Sequence, residues 1–198
     1  MASQIPPQKF IAPTAIIDPT AVIGEGTRIW AFAQVMEHAV IGRDCVIGNG
    51  AYIDRHVTIG DRVRVHNKAL LYHGITIEDD VFIGPGVCWT NDPWPRSGST
   101  RDMTNARWRI HKGAVIGANT TILPDLSIGA YAVIGAGSLV SKPVPSHALV
   151  YGHPARIHGA VCRCGFVIRK NLDGAAVHKL HCEQCKADIP VIMPAEAL

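Results

Sequence analysis

The sequence predicts an all-β fold, a parallel β-helix built from hexapeptide repeats. Three observations carry that expectation. From Ile11 to Trp89 a large apolar residue stands at every sixth position: Ile11, Ile17, Ile23, Ile29, Val35, Ile41, Ile47, Ile53, Ile59, Val65, Leu71, Ile77, Ile83 and Trp89. The run resumes as Ile110, Ile116, Ile122, Ile128, Ile134 and Val140. Four residues after most of these stands a small or β-branched side chain, as at Ala15, Ala21, Thr27, Ala33, Ala39, Cys45, Ala51 and Val57. A helix repeats at about 3.6 residues and a strand at about 2, so neither yields a strict period of six over this length.

Taken in order, residues 1–10 form a Pro-containing lead-in. Met1-Ala-Ser-Gln-Ile-Pro-Pro lacks a basic region followed by an apolar stretch, and no long apolar run follows, so neither a signal peptide nor a membrane span is expected. A cytoplasmic protein is the expectation. Residues 11–145 form the β-helix, in which each hexad supplies one short strand and one corner, and three hexads close a triangular coil of 18 residues. One coil cannot bury its own apolar face, so stacking at about 4.8 Å creates the core. Fully burying each Ile or Val contributes roughly 1.5–3 kcal/mol before entropy is subtracted. Gly, Asp and Asn mark corners, as in Ile23-Gly24-Glu25-Gly26 and Ile47-Gly48-Asn49-Gly50, because they tolerate positive φ.

The register breaks once. Trp89 and Ile110 are 21 positions apart rather than 6, so 15 extra residues leave at one corner as a loop over residues 92–109. A long insertion in an unbroken solenoid is costly to order, which points to function. After Val140 the period gives way to Lys142-Pro143-Val144-Pro145, then Tyr151-Gly152-His153-Pro154-Ala155-Arg156 and a Cys-rich tail, so residues 146–198 form a C-terminal segment.

The 19 Lys and Arg are scattered among 16 acids for a net charge of +3, which argues against nucleic acid and anionic membrane surfaces as partners. Apolar residues make up 47% of the chain, enough for a continuous core.

The 18-residue coil acts as a ruler for side chains. It places His73 and Asn91 one above the other at the corner where the loop leaves. A neutral imidazole there can take a proton from an attacking amine or hydroxyl. His66 and His111 are weaker candidates for that role. Asn49 and Asn67 form a ladder at another corner; for Asn49 a structural amide ladder is the preferred reading. In the tail, Cys162 and Cys164 precede Cys182 and Cys185 at a separation suited to one tetrahedral zinc, with His178 or His181 able to replace a cysteine. So small a segment would draw folding energy from the metal, which is therefore expected to be structural. Cys45 and Cys88 fall inside the hexad register and are expected to be inert.

Residues 11–145 resemble left-handed β-helix acyltransferases, and the handedness rests on that resemblance alone. Thr76-Ile77-Glu78-Asp79-Asp80-Val81-Phe82-Ile83-Gly84-Pro85-Gly86-Val87, then Thr90-Asn91-Asp92-Pro93 and Pro95-Arg96-Ser97, look like the branch that N-acetylates nucleotide-linked deoxyamino sugars. Gly152-His153-Pro154-Ala155-Arg156 is similar to that family's Gly-x-Pro-Ala-Arg segment. Acetyltransferases of UDP-2-acetamido-3-amino-2,3-dideoxyglucuronate look nearest. His66-Asn67-Lys68 stands where those enzymes typically have Gln-Asn-Asn, and Asp92 follows Asn91, so another UDP- or dTDP-linked 3- or 4-amino sugar stays open.

The resemblance implies a homotrimer with acetyl-CoA in the groove between neighbouring β-helices. Within that reaction the corner positions make His73 and Asn67 the expected catalytic groups, and Asn91, Asp92, Arg96, His66 and Tyr72 the expected substrate contacts. Ala118, Gly135, Ser138, Lys142, Pro154 and Arg156 would bind the coenzyme. Competing readings are an O-acetyltransferase of a simple sugar or serine, a γ-class carbonic anhydrase holding metal with three histidines, and a structural rod.

Overall fold

A computed structural model describes residues 9–98, 107–169 and 179–190, and among them every regular element is a β-strand. No helix of the described residues is long and apolar enough to cross a membrane.

Most strands are two residues long and alternate around three parallel sheets, so hydrogen-bonded neighbours are every third strand in sequence. The first sheet begins Phe10–Ile11, Arg28–Ile29, Val46–Ile47; the second Ile16–Ile17, Gln34–Val35, Tyr52–Ile53; the third Val22–Ile23, Val40–Ile41, Thr58–Ile59. In each strand one residue points inward and the next outward. The inward set is the six-residue ladder: Ile29, Val35, Ile47, Ile53, Leu71, Ile83, Ile110 and Ile116 are fully buried. Pairing is in strict register, Ile11 on Ile29, Ile47 on Val65 and Ile53 on Leu71, each 18 residues apart.

Across the break the offset grows by the length of the insertion and the ladder is undisturbed. Ile77 pairs with Ile110, Ile83 with Ile116 and Trp89 with Ile122, each 33 residues apart, which is 18 plus the 15 inserted. Two buried tryptophans flank the interruption. Trp89 ends the last strand before the loop, and Trp108 begins the first strand after it, its Nε1–H donating to the Leu123 carbonyl at 2.8 Å.

Corners need one residue in the left-handed region, and here non-glycine residues such as His38, His56, Lys68 and Asp80 adopt φ of 57 to 61°. Close stacking is stricter than φ at Gly48, where an added Cβ would lie 2.6 Å from the Asn67 nitrogen.

The period ends where the sequence loses it. Val144 makes a last single bridge to Ile128, and Ala148–Gly152 joins the first sheet beside Val133–Ile134. Ala155–Val161 then turns back antiparallel on Ala148–Gly152, and Val167–Arg169 antiparallel on Ala155–Val161. This hairpin covers the sheet edge that another chain could otherwise extend. The tail joins the same core through buried Cys162, Cys182 and Ile189.

Burial grows from the first coil inward, Ile11 being 37% exposed and Ile83 0%. Ile83→Ala is expected to lower unfolding free energy by about 2–5 kcal/mol. Ile11→Ala should cost under about 1 kcal/mol, because little apolar area is lost there. Urea midpoints of the two variants check the gradient.

Candidate active site

The three solenoid edges carry different chemistry. The edge between the second and third sheets holds the loop exit. His73 lies there between Leu70–Leu71 and Ile75–Ile77, directly above Arg55 of the preceding coil. Its backbone N–H donates to the Asp54 carboxylate at 3.1 Å, and its ring Nδ1 lies 3.0 Å from the Arg55 carbonyl oxygen. Since a carbonyl only accepts, the Nδ1 of the neutral ring carries the proton and Nε2 holds the lone pair. Asp54 also accepts from the Arg55 N–H and the Tyr52 hydroxyl, which fixes the corner. Burial, with Asp54 adding to it, pushes the Tyr52 phenol up; burial does the same at Tyr72. His56 meets His73 edge-on at 5.6 Å and stacks on His38 at 5.1 Å, so a row of imidazoles runs up to the loop.

One coil further along this edge the Thr90 N–H makes the last ladder bond, to Ile122 at 2.9 Å, and the chain leaves at Asn91. Asp92 accepts the Trp94 N–H at 2.7 Å in a tight turn, exposing the Trp94 ring, and Arg96 turns back to the Pro95 carbonyl. Residues 99–106 of the expected loop lie outside the described residues. Counting coils onward from 73 and 91, with the 15-residue offset, reaches position 142. Lys142 therefore shares this edge with His73, three coils or about 14 Å away. Lys142 and Arg156 line one small cavity, about 60 Å³, with Pro143, Pro145 and Ala155. Pro154 follows a cis peptide bond at the turn of the same hairpin.

Other expected residues lie on the edge between the first and second sheets. Asn67 accepts the Asn49 N–H at 2.9 Å through Oδ1, so its amide ties two coils together as well as facing outward. His66 packs its ring on Phe82 at 4.7 Å. Ala118 and Gly135 occupy later corners of this edge. Ser138 is buried, with its hydroxyl donating to the Gly135 carbonyl at 2.6 Å, so the hydroxyl is turned into the corner. One chain thus gathers His73, Tyr72, Asn91, Asp92 and Lys142 along one edge, with Arg156 of the closing hairpin meeting Lys142 at the cavity, and keeps His66, Asn67, Ala118 and Gly135 on another.

The third edge carries a charged ladder. Asp61 pairs with Arg43, and Asp79 and Asp80 pair with Arg62. Above them Glu78 accepts from His111 Nδ1 at 3.0 Å, from Arg109 and from the Lys112 N–H. Although partial burial opposes it, these three donors hold the Glu78 carboxyl below its ordinary value. The result is a carboxylate-oriented imidazole with Nε2 free. Sequence reasoning ranked His111 low and passed over Glu78 and Arg109. The ruler could have found the pair, because 78 and 111 are 33 apart across the break.

Residues 20–55, 56–88 and 109–142 match the family described as bacterial transferase hexapeptide, six repeats. The chain belongs to the bacterial transferase hexapeptide family. It is 50% identical over 68 residues to dTDP-3-amino-3,6-dideoxy-alpha-D-galactopyranose 3-N-acetyltransferase of Aneurinibacillus thermoaerophilus, covering 34% of this chain and 35% of that protein. It is 38% identical over 103 residues to serine acetyltransferase 2 of Arabidopsis thaliana, covering 51% of this chain and 32% of the relative. The chain therefore spans about a third of the length of these curated relatives. A variant of GDP-perosamine N-acetyl transferase from Caulobacter crescentus, solved with CoA and GDP-perosamine, shares the fold at 21% identity and TM-score 0.51, covering 77% of this chain and 57% of that one. The parallel solenoid is consistent with the left-handed hexapeptide β-helix.

This hexapeptide chain also carries a thiol cluster. Cys162, Cys164, Cys182 and Cys185 place their four Sγ atoms within 4.8 Å of one another, with 3.4 Å between Cys162 and Cys185 and 3.7 Å between Cys164 and Cys182. A tetrahedral zinc with Zn–S near 2.3 Å sets sulfurs about 3.8 Å apart, so the cage fits that ion. Tight turns aim each pair: the Gly165 N–H bonds the Cys162 carbonyl, and the Lys186 N–H that of Cys182. Burial opposes the Cys182 thiolate, but the N–H groups of Cys185 and Gln184 and the neighbouring thiols bring its pKa down to about 7. Burial pushes the Cys162 thiol up to about 12. His181 is held by Asp188 at 2.9 Å, so it is not needed as a fourth ligand, and His178 lies outside the described residues.

Atomic emission on the purified protein should find about one zinc per chain, absent in Cys182→Ser. Chelation should expose the segment after residue 161 to protease and leave the solenoid intact. Full protease resistance after chelation would contradict a structural role for the metal.

Proposed function

We propose that the protein transfers acetyl from acetyl-CoA to the amino group of a UDP- or dTDP-linked 3- or 4-amino deoxy sugar, for glycan or glycosylated natural-product assembly. The observation that carries this reading is the alignment on one edge of His73, the loop exit at Asn91, and Lys142 with Arg156. A base, an acceptor loop and two phosphate-pairing cations follow one another along a line that a thread-like coenzyme can occupy. The sugar-nucleotide N-acetyltransferase similarity supports the acceptor class.

In the reaction the amine nitrogen attacks the thioester carbonyl, a C–N bond forms, and negative charge develops on the carbonyl oxygen. Collapse breaks the C–S bond and releases CoA thiolate. His73 Nε2 takes the amine proton. Because a sugar amine is partly unprotonated near neutrality, this assistance lowers a modest barrier, and alignment of donor and acceptor supplies most of the acceleration. Backbone N–H groups at the corners and the Asn91 amide suit the developing oxyanion. Asp92 and Arg96 frame the sugar.

A homotrimer fits the division of candidate residues between two edges. A groove between neighbouring solenoids sets the His73 edge of one copy against the Asn67 edge of the next, with Ala118 and Gly135 leaving room for the pantetheine arm. A cytoplasmic location suits this reading, since acetyl-CoA and activated sugars are available there and the tail thiols stay reduced.

A second reading is favoured by the Glu78–His111 pair: O-acetylation of a hydroxyl, which demands a strong general base, as the serine acetyltransferase similarity would suit. The histidines of the described residues gather into no metal cluster within one chain, so the carbonic anhydrase reading gains no support from it.

A panel of UDP- and dTDP-amino sugars, serine and simple sugars, assayed with acetyl-CoA by thiol release, decides between them. Turnover is expected with an amino sugar, and His73→Ala should lower kcat by about tenfold. Turnover of serine alone, abolished in His111→Ala, would establish the second reading. No turnover with any amino sugar would sink the first.

A further inference from the structure

Away from the loop edge, one hollow is walled by aromatic rings on two sides. Trp30, Gly48 and His66 occupy the same corner position in three successive coils, their N–H groups bonding Ile47, Val65 and Ile83 in turn. Only glycine fits at the middle position, as the Asn67 contact shows. Trp30 and His66 therefore stand two strand spacings apart, about 9.6 Å, with no side chain between them. Two strand spacings between the backbone positions leave room for one flat ring between the two side chains. Each wall is braced from behind, Trp30 by Phe10 at 5.4 Å and His66 by Phe82. The hollow measures about 220 Å³, with Val46 at its floor and Asn49 and Asn67 at its side. Asn67 spends only Oδ1 on the ladder, so its Nδ2 donors and the Asn49 amide remain for the polar rim of a base.

We propose that this slot binds the nucleobase of the activated sugar, stacked between Trp30 and His66 and hydrogen-bonded by Asn49 and Asn67. The proposal rests on the reading of the substrate as a nucleotide-linked sugar. Two bases are available in the reaction, the pyrimidine of the sugar nucleotide and the adenine of CoA. The phosphate-pairing cations, Lys142 at the last coil and Arg156 in the hairpin beyond it, lie far along the solenoid and draw the adenine end of CoA there. The slot in the second to fourth coils is left to the pyrimidine.

Calorimetry with UMP, dTMP and adenosine 3′,5′-bisphosphate separates the sources. Trp30 is 42% exposed, so Trp30→Ala and Trp30→Phe should keep the fold, which circular dichroism checks. Loss of one stacking face should weaken UMP or dTMP by about tenfold or more in Trp30→Ala, with Trp30→Phe within about threefold of the parent and the adenosine probe unchanged. In turnover the sugar-nucleotide KM should rise while kcat holds. Unchanged pyrimidine affinity in Trp30→Ala would overturn the slot, as would weakening confined to the adenosine probe. Unchanged KM with active acetyl transfer would also refute the slot while leaving the reaction standing. Tight, Trp30-dependent UMP or dTMP binding without any acetyl transfer would uphold the slot and refute the reaction.

Discussion

Parallel pairing of each two-residue strand with its counterpart one coil away is the constraint on which the rest of the structure depends. Because every ladder bond joins residues 18 apart, one inward residue per hexad suffices to build a core, and the position of each outward residue is set by its phase alone. Strands this short have no independent stability, so each coil exists because its neighbours do. An insertion is tolerated only where it leaves register intact. The 15-residue excursion at Asn91 meets that condition, since pairing resumes with every inward residue in place.

Chemistry consequently collects at the edges. A two-residue strand offers one outward side chain, whereas a corner offers several, together with backbone groups turned away from the ladder. Each edge is a column, and columns repeat at strand spacing. Along one lie His73, the loop exit and Lys142; along the next, Trp30, Gly48, His66 and the Asn67 ladder; along the third, the acid–arginine pairs with Glu78 and His111. The first two edges hold complementary parts of one proposed site. The acid–arginine pairs of the third run between successive coils and hold them together, with the exposure of each pair limiting what it contributes.

Architecture was legible because period and phase are properties of sequence. The solenoid, its single break and the place of His73 beside it follow from counting. So does the meeting of four thiols, since two close pairs in a short segment leave few arrangements. The separation of Asn67 from His73 is legible too, being one hexad and therefore one edge. Glu78 beneath His111 was hidden by counting that stopped at the break. Ser138 looked like a small groove residue because its hydroxyl's burial depends on corner geometry that the period does not encode. The antiparallel hairpin after residue 147 lies beyond the repeat, where short apolar runs carry no phase. Trp30 escaped notice because its meaning lies in the glycine above it, a relation between three coils.

The central claim is that acetyl-CoA lies along the edge shared by His73, the loop exit and Lys142. Amide hydrogen exchange with and without CoA, read on peptides that separate the corners, tests it most directly. The account predicts slower exchange at residues 70–74, 90–98 and 141–157 on CoA addition, with residues 42–44 and 60–62 of the third edge unchanged. Protection confined to that third edge, or none at the loop exit and Lys142, would contradict it.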